Sequence, residues 1–186
     1  MLRSKSVVSI ENVVSTASVN QRIDLVFISK NFPDTEYRPE RFPGLVFRLK
    51  SPKTSILVFG SGNMVCTGAK SEDQSVTAIK TLVGILKKGG VGIRNDPHIT
   101  IRNVVASANL GGRVRLEQAA RILPRSMYEP EQFPGLIHRM VDPSTVVLVF
   151  ASGKLVCAGA KKSSDIYRSV GNLQLTLEEK RLMHYD

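Results

Sequence analysis

The sequence predicts an α+β fold written twice, each copy carrying two helices on one face of a mostly antiparallel sheet. Three observations carry that prediction. Blocks of sequence return at a constant spacing of 91 residues. Each copy contains short segments of period two bounded by Gly, Pro, Asn and Ser, the signature of strands and tight turns. Each copy also contains two stretches with apolar residues at helical spacing, and strands grouped between helices without strict alternation read as α+β.

The duplication is the firmest of the three. Tyr37–Leu49 (YRPERFPGLVFRL) returns as Tyr128–Met140 (YEPEQFPGLIHRM), Leu57–Lys70 (LVFGSGNMVCTGAK) as Leu148–Lys161 (LVFASGKLVCAGAK), and Ile10–Val14 as Ile101–Val105. Over 10–19, 37–49 and 57–70, 23 of 37 positions are identical to the residue 91 further on, so the unit is duplicated without a gap. Two large copies imply a pseudo-twofold molecule rather than a solenoid of many small repeats. The join falls in Gly89–Pro97, rich in chain breakers, which divides the chain into repeats 1–95 and 96–186.

Within each repeat the elements follow in order. Val8, Ile10, Asn12, Val14 and Thr16 alternate with Val7, Ser9, Glu11, Val13 and Ser15, a strand. Arg22–Phe32 and Arg113–Leu123 have helical spacing. Leu45–Lys50, Ser55–Phe59 and Met64–Gly68 read as a meander, with Gly60–Asn63 a hairpin connection. Ser71 with Gln74 three residues on forms a capping box, Glu72 and Asp73 suit a first helical turn, and Val76, Ile79, Leu82, Val83 and Leu86 form an apolar stripe ending before Gly89. Ile166, Val170, Leu173 and Leu177 keep that stripe in the second repeat, where Gly171 and the run Leu173–Leu177 interrupt the helical pattern.

Composition narrows the function. The 186 residues are 42% hydrophobic and 23% charged, the balance of a globular chain. The longest apolar run is Val146–Ala151, far short of the roughly 20 residues of a spanning helix, so no membrane partner is expected. Arg3 and Lys5 meet Glu11 and Asn12 before a signal-peptide core forms, and two distant cysteines, Cys66 and Cys157, make no disulfide framework; an intracellular location is expected. The net charge is +10, divided as +6 over 1–93 and +4 over 94–186, which points to a polyanionic partner met by both halves. Enzymes are disfavoured: His98, His138 and His184 are scattered, no carboxylate pair recurs in both repeats, and Ser61-Gly62 or Ser152-Gly153-Lys154 lacks phosphate-loop spacing. No metal, cofactor or catalytic residue is assigned.

Strand alternation then shows which side chains the helices leave uncovered. With Val58, Met64 and Cys66 facing the helices, the other face carries Leu57, Phe59, Val65 and Thr67, and in the second repeat Leu148, Phe150, Val156 and Ala158. Asn12, Val14, Asn103 and Val105 join them, and Arg41, Arg48, Lys70, Arg139, Lys154 and Lys161 form a basic border. An apolar floor inside a cationic rim suits a nucleic acid whose phosphates flank a shallow groove better than it suits burial against a like-charged copy.

These blocks resemble the TATA-box-binding family over nearly the whole chain, chiefly Glu131–Met140, Leu148–Lys154 and Gly68–Glu72 in two copies. The resemblance implies a saddle: one curved, mostly antiparallel sheet with its concave face free for a bent A·T-rich minor groove, and helices on the convex face. It gives base contacts to Asn12, Val14, Leu57, Val65, Thr67, Asn103, Val105, Leu148, Val156 and Ala158. Phe42, Phe59, Phe133 and Phe150 become intercalating wedges. Arg41, Arg48, Lys70, Arg139, Lys154 and Lys161 become phosphate contacts. Glu129 and Glu131, opposite Arg38 and Glu40 of the first repeat, become the docking point for a transcription factor B type of partner, with the RNA polymerase machinery engaged indirectly. Internal symmetry breaks at Gln132 against Arg41, Asn63 against Lys154 and Ala158 against Thr67. The compact chain resembles archaeal members, although it ends Leu182–Asp186 without the acidic tail many of those carry. An archaeal origin implies the cytoplasm and nucleoid, a eukaryotic one the nucleus. Two alternatives use the same surface: a divergent paralogue serving a subset of promoters, and a homodimer that buries its concave face when free of DNA.

Overall fold

The computed structural model describes Ser6 to Asp186. Arg3 and Lys5, weighed above against a signal peptide, lie outside the described residues. The chain separates into two compact units, Asn12–Arg102 and Asn103–Asp186, the second also taking in the segment up to Glu11.

The first unit is built from β1 (Val7–Ser18, entering at Asn12), α1 (Leu25–Asn31), β2 (Thr35–Glu36), β3 (Leu45–Lys50), β4 (Lys53–Val58), β5 (Asn63–Ala69) and α2 (Glu72–Lys88). Its strands lie in the order β2-β3-β4-β5-β1, every ladder antiparallel. Helix α1 is shorter than the expected Arg22–Phe32. Ile23 is held extended by its N–H bond to the Gly60 carbonyl (3.0 Å), so the helix starts only after Asp24, whose carboxylate accepts from the Phe27 N–H (3.1 Å). In α2 the Ser71 hydroxyl accepts from the Gln74 N–H (3.0 Å), as a capping box requires, but the Gln74 side chain turns back to the Lys70 N–H (2.7 Å) instead. The buried stripe of α2 is Ser75, Ala78, Ile79, Leu82, Val83 and Leu86, with Val76 only half-buried. It closes over Leu45, Ile56, Val58, Met64 and Cys66. Burying each large side chain there contributes about 1.5–3 kcal/mol.

The second unit repeats the plan with β6 (His98–Asn109, entering at Asn103), β7 (Arg113–Val114), α3 (Leu116–Ile122), β8 (Ser126–Met127), β9 (Leu136–Met140), β10 (Thr145–Val149), β11 (Lys154–Ala160), α4 (Ser163–Glu179) and β12 (Met183–His184). The strand order is β6-β11-β10-β9-β8, with β12 and β7 a separate ribbon. That ribbon corrects the expected helix Arg113–Leu123: Val114 pairs with Met183 and donates to the Ala151 carbonyl (3.0 Å), so α3 begins at Leu116. Helix α4 runs through Gly171 unbroken because Ile166, Ser169, Val170, Leu173 and Leu177 form a continuous buried stripe. Gly171 is exposed, and an added Cβ would meet nothing within 4 Å. Gly171→Ala is therefore expected to raise stability by about 1 kcal/mol, read as a higher urea midpoint with unchanged slope. A lower midpoint would contradict it.

Each unit also takes in a strand end from beyond its own repeat. In the first, the Arg102 guanidinium donates to Thr16 Oγ1 (2.8 Å); in the second, the Ser107 hydroxyl donates to Glu11 Oε1 (2.7 Å). Buried hydroxyls pair between sheet and helix, Ser15 with Ser75 at 2.5 Å and Thr145 with Ser169 at 2.8 Å. They surround Cys66 and Cys157, whose thiols burial pushes above the ordinary value.

His138 is buried where the first repeat has Phe47, its Nδ1 lying 3.1 Å from the Ser126 hydroxyl. Burial lowers its pKa, so the folded state prefers the neutral ring. Stability from this group is complete above the unfolded value near 6.5 and is lost as pH falls from there toward the lowered folded value. A unit-two unfolding midpoint that declines over that window in the parent and holds level in His138→Phe is the expected result. Equal declines in both would assign the slope elsewhere.

Candidate nucleic-acid interface

The surface opposite the helices is set by the pleat. Along β4 and β5, Ile56, Val58, Met64 and Cys66 are buried, while Leu57, Val65 and Thr67 between them are half-exposed. In the second unit Val147, Val149, Leu155 and Cys157 are buried, and Leu148, Val156 and Ala158 are half-exposed. Asn12, Val14, Asn103 and Val105 are likewise half-exposed, each beside a buried neighbour. Every floor position read from alternation thus lies on the uncovered face.

The asparagines are held by a contact the sequence does not announce. The Gly68 N–H donates to Asn12 Oδ1 at 2.8 Å, and the Gly159 N–H to Asn103 Oδ1 at 2.8 Å. Both glycines sit at φ near +90° where the ladder register slips, which makes each a β-bulge that re-aims its backbone N–H. With the oxygen committed, each amide offers its NH2 group as a donor. Gly68 and Gly159 repeat at 91 residues, and that identity is the signal by which sequence reasoning could have found them.

The phenylalanines come together in pairs. Phe42 and Phe59 meet edge to face at 5.9 Å between centroids, Phe133 and Phe150 at 5.8 Å. Phe59 and Phe150 each open a hairpin turn closed by the N–H of Gly62 or Gly153 to their carbonyls (2.9 Å). Phe42 and Phe133 precede Pro-Gly, and a Cβ on Gly44 or Gly135 would lie 2.8 Å from their rings, so a larger residue there would have to displace the ring. Phe42 remains 44% and Phe133 37% exposed, large apolar rings at the surface. Such patches mark binding sites.

Depressions adjoin both pairs. One of about 540 Å³ is lined by Thr16, Phe59, Asn63, Val65, His98 and Arg102. The other, about 590 Å³, is lined by Val7, Ser107, Phe150, Lys154 and Val156. Arg41, Arg48, Lys70, Arg139, Lys154 and Lys161 are all exposed. Arg48 pairs with Glu36 at 3.3 Å, but an exposed pair is worth about 0–1 kcal/mol and gives way readily to a phosphate. Glu129 and Glu131 are exposed on the loop preceding β9. Among the described residues no group of three or more His, Cys, Asp or Glu is arranged to hold a metal, and no helix is long and apolar enough to cross a membrane.

Comparison with known proteins agrees with this geometry. The chain is 49% identical to the TATA-box-binding protein of Sulfurisphaera tokodaii over 89% of its own length and 84% of the relative's. It is 50% identical to that of Pyrodictium occultum, covering 95% and 89%. Among solved structures it superposes on the Methanococcus jannaschii TBP with a TM-score of 0.83 at 42% identity, covering 92% of this chain and 98% of that one. The family model described as transcription factor TFIID (or TATA-binding protein, TBP) matches residues 7–89 and 98–180, one match per repeat, and the chain belongs to that family.

Proposed function

We propose that this chain binds the minor groove of A·T-rich promoter DNA, bends it, and nucleates assembly of the transcription initiation complex. Promoter binding in transcription initiation is the general function of its family, which is one of transcription factors and not of enzymes. The observation that carries the reading at residue level is the pair of asparagine amides whose oxygens are tied to Gly68 and Gly159. Minor-groove edges of A·T and T·A present only acceptors, so two fixed donors suit either orientation of such a pair. Val14, Val105, Leu57, Leu148, Val65 and Val156 surround them with surfaces that cannot accept a hydrogen bond. A guanine amino group buried against these is left unpaired, at about 1–3 kcal/mol.

Phe42, Phe59, Phe133 and Phe150 serve as wedges, since apolar rings entering base steps unstack and kink a duplex. Arg41, Arg48, Lys70, Arg139, Lys154 and Lys161 neutralise phosphates and set affinity and salt dependence without reading sequence. The repeats 1–95 and 96–186 each carry one such asparagine, its apolar neighbours and one phenylalanine pair. Selection from random duplexes at fixed salt tests the whole: A·T-rich sites must emerge, and enrichment without base preference would refute it.

Members of the family act with general transcription factors, and for this chain we assign the partner more narrowly as a transcription factor B type, docking at Glu129 and Glu131. Carboxylates there are unhelpful to phosphate and serve a protein surface instead. Reversing both to Lys is expected to leave DNA affinity within about threefold while abolishing the ternary complex on a mobility gel. An intact ternary complex would remove the assignment. The relatives compared above are archaeal, which supports reading this protein as one of the cytoplasm and nucleoid.

A further inference from the structure

The hairpin turn that opens at Phe150 is held by the segment Leu110–Val114. The Gly153 N–H closes the turn onto the Phe150 carbonyl (2.9 Å), and the turn's own carbonyls are taken up by that segment: the Leu110 N–H donates to Gly153 (2.9 Å) and the Val114 N–H to Ala151 (3.0 Å). Gly153 is buried, and a Cβ on it would run into the Gly112 carbonyl, so the two backbones touch. Gly112 in turn carries the Tyr185 ring against its own Cα, where a Cβ would lie 2.6 Å from the ring.

Tyr185 is itself anchored. Its hydroxyl donates to Glu178 Oε1 (2.5 Å) and accepts from Gln174 Nε2 (3.2 Å), both on α4, and Gln174 Nε2 also donates to the Leu110 carbonyl (3.1 Å). Just before it, β12 pairs with β7, and the Leu182 carbonyl accepts from the Arg115 N–H (2.9 Å). The ring stays 40% exposed, so it adds little to the core; what it covers is the segment that holds the wedge turn. The first repeat solves the same problem differently. There Gly62 abuts the Gln21 carbonyl, and Gln21 is held by its own carboxamide, which donates to the Gly92 carbonyl (2.7 Å) and accepts from the Arg94 N–H (2.8 Å). The residues 91 positions before Tyr185, Gln174 and Glu178 are Arg94, Val83 and Lys87, so the first repeat has no copy of the tyrosine anchor.

We propose that Tyr185 is a positioning residue for the Phe150 wedge: tied to α4, it fixes Gly112, Gly112 fixes the turn at Gly153, and the turn aims the phenylalanine ring. The inference rests on the wedge reading above and adds the residue that orders one wedge before DNA arrives. A ring already ordered has little freedom left to lose on entering a base step. Variants of one interface differ mainly in how fast the complex comes apart, so loss of the brace shows as faster release of bent DNA.

The test uses the full chain with Phe150 replaced by 4-fluorophenylalanine, and a second sample with Phe59 so replaced. Tyr185→Ala is expected to shift and narrow the fluorine resonance at position 150, to leave that at position 59 unchanged, and to keep the parent's circular dichroism. Its bent complex with an A·T-rich duplex, followed by energy transfer between the duplex ends after a competitor chase, should dissociate about 2- to 10-fold faster, the factor that ordering one side chain costs. Gly112→Ala displaces the ring with Tyr185 still present and should reproduce both effects. Tyr185→Phe keeps the ring on Gly112 and should restore the parent resonance, with a release rate within about twofold of the parent's. An unmoved resonance at position 150 in Tyr185→Ala, equal changes at positions 59 and 150, or a moved resonance with the parent's release rate would overturn the proposal. Any of these with a parent that bends the duplex refutes this inference alone. A parent that binds without bending the duplex refutes the wedge reading and this inference with it.

Discussion

Replacing Phe133 and Phe150 together by alanine is expected to abolish DNA bending, measured by energy transfer between the ends of a labelled duplex, while the far-ultraviolet circular dichroism of the protein stays unchanged. The fold should survive because neither ring belongs to the buried core: Phe133 is 37% exposed and Phe150 half-exposed, and they lean mainly on each other and on Gly135. DNA binding should not survive intact. Full burial of a phenylalanine is worth about 1.5–3 kcal/mol, and both rings are already more than half covered, so the area they lose to water on entering base steps is worth roughly 1–2 kcal/mol for the pair. The mutual packing of the rings makes the double replacement the cleaner experiment, since residues in contact are not additive. Unchanged bending in the double variant would exclude the wedge role.

Asn103→Asp is expected to be more damaging than Asn103→Ala. Alanine removes a donor to the base edge and leaves the Gly159 N–H without its 2.8 Å partner, a loss of about 1–3 kcal/mol in binding. Aspartate keeps that N–H satisfied and preserves the bulge, but it replaces the outward NH2 by a second acceptor that is also negative. Facing a groove whose A·T edges show only acceptors, it should weaken A·T-rich sites by about 3 kcal/mol or more, over 100-fold, with the thermal midpoint close to the parent's. Asn12→Asp should do the same through Gly68. Aspartate binding as well as asparagine, or equal losses on A·T-rich and G·C-rich duplexes, would contradict base readout by these amides.

How far the site was legible depends on the range of the interaction. Alternation along β4, β5, β10 and β11 told which side chains face away from the helices, because the pleat acts residue by residue. The register of each meander followed from short hairpins, whose turn chemistry is local. The amide anchors were not legible, since Asn12 and Gly68 stand 56 residues apart and meet only when β5 bulges against β1. The Ser15–Ser75 hydroxyl pair, 60 residues apart, was hidden for the same reason. Helix starts were misread where a long-range bond overrode local periodicity, as when the Gly60 carbonyl holds Ile23 extended and when Met183 pairs with Val114.

By itself the sequence determined the duplication, the α+β class, the apolar floor, the basic rim and the paired phenylalanines, because each is a property of spacing along one chain. Only the tertiary structure decided which atom of each asparagine points outward, which rings lie against Gly44 and Gly135, and which strand end completes each compact unit. Those outcomes depend on backbone groups far apart in sequence reaching hydrogen-bonding or van der Waals distance, and no local pattern encodes a contact whose partner is set by the fold.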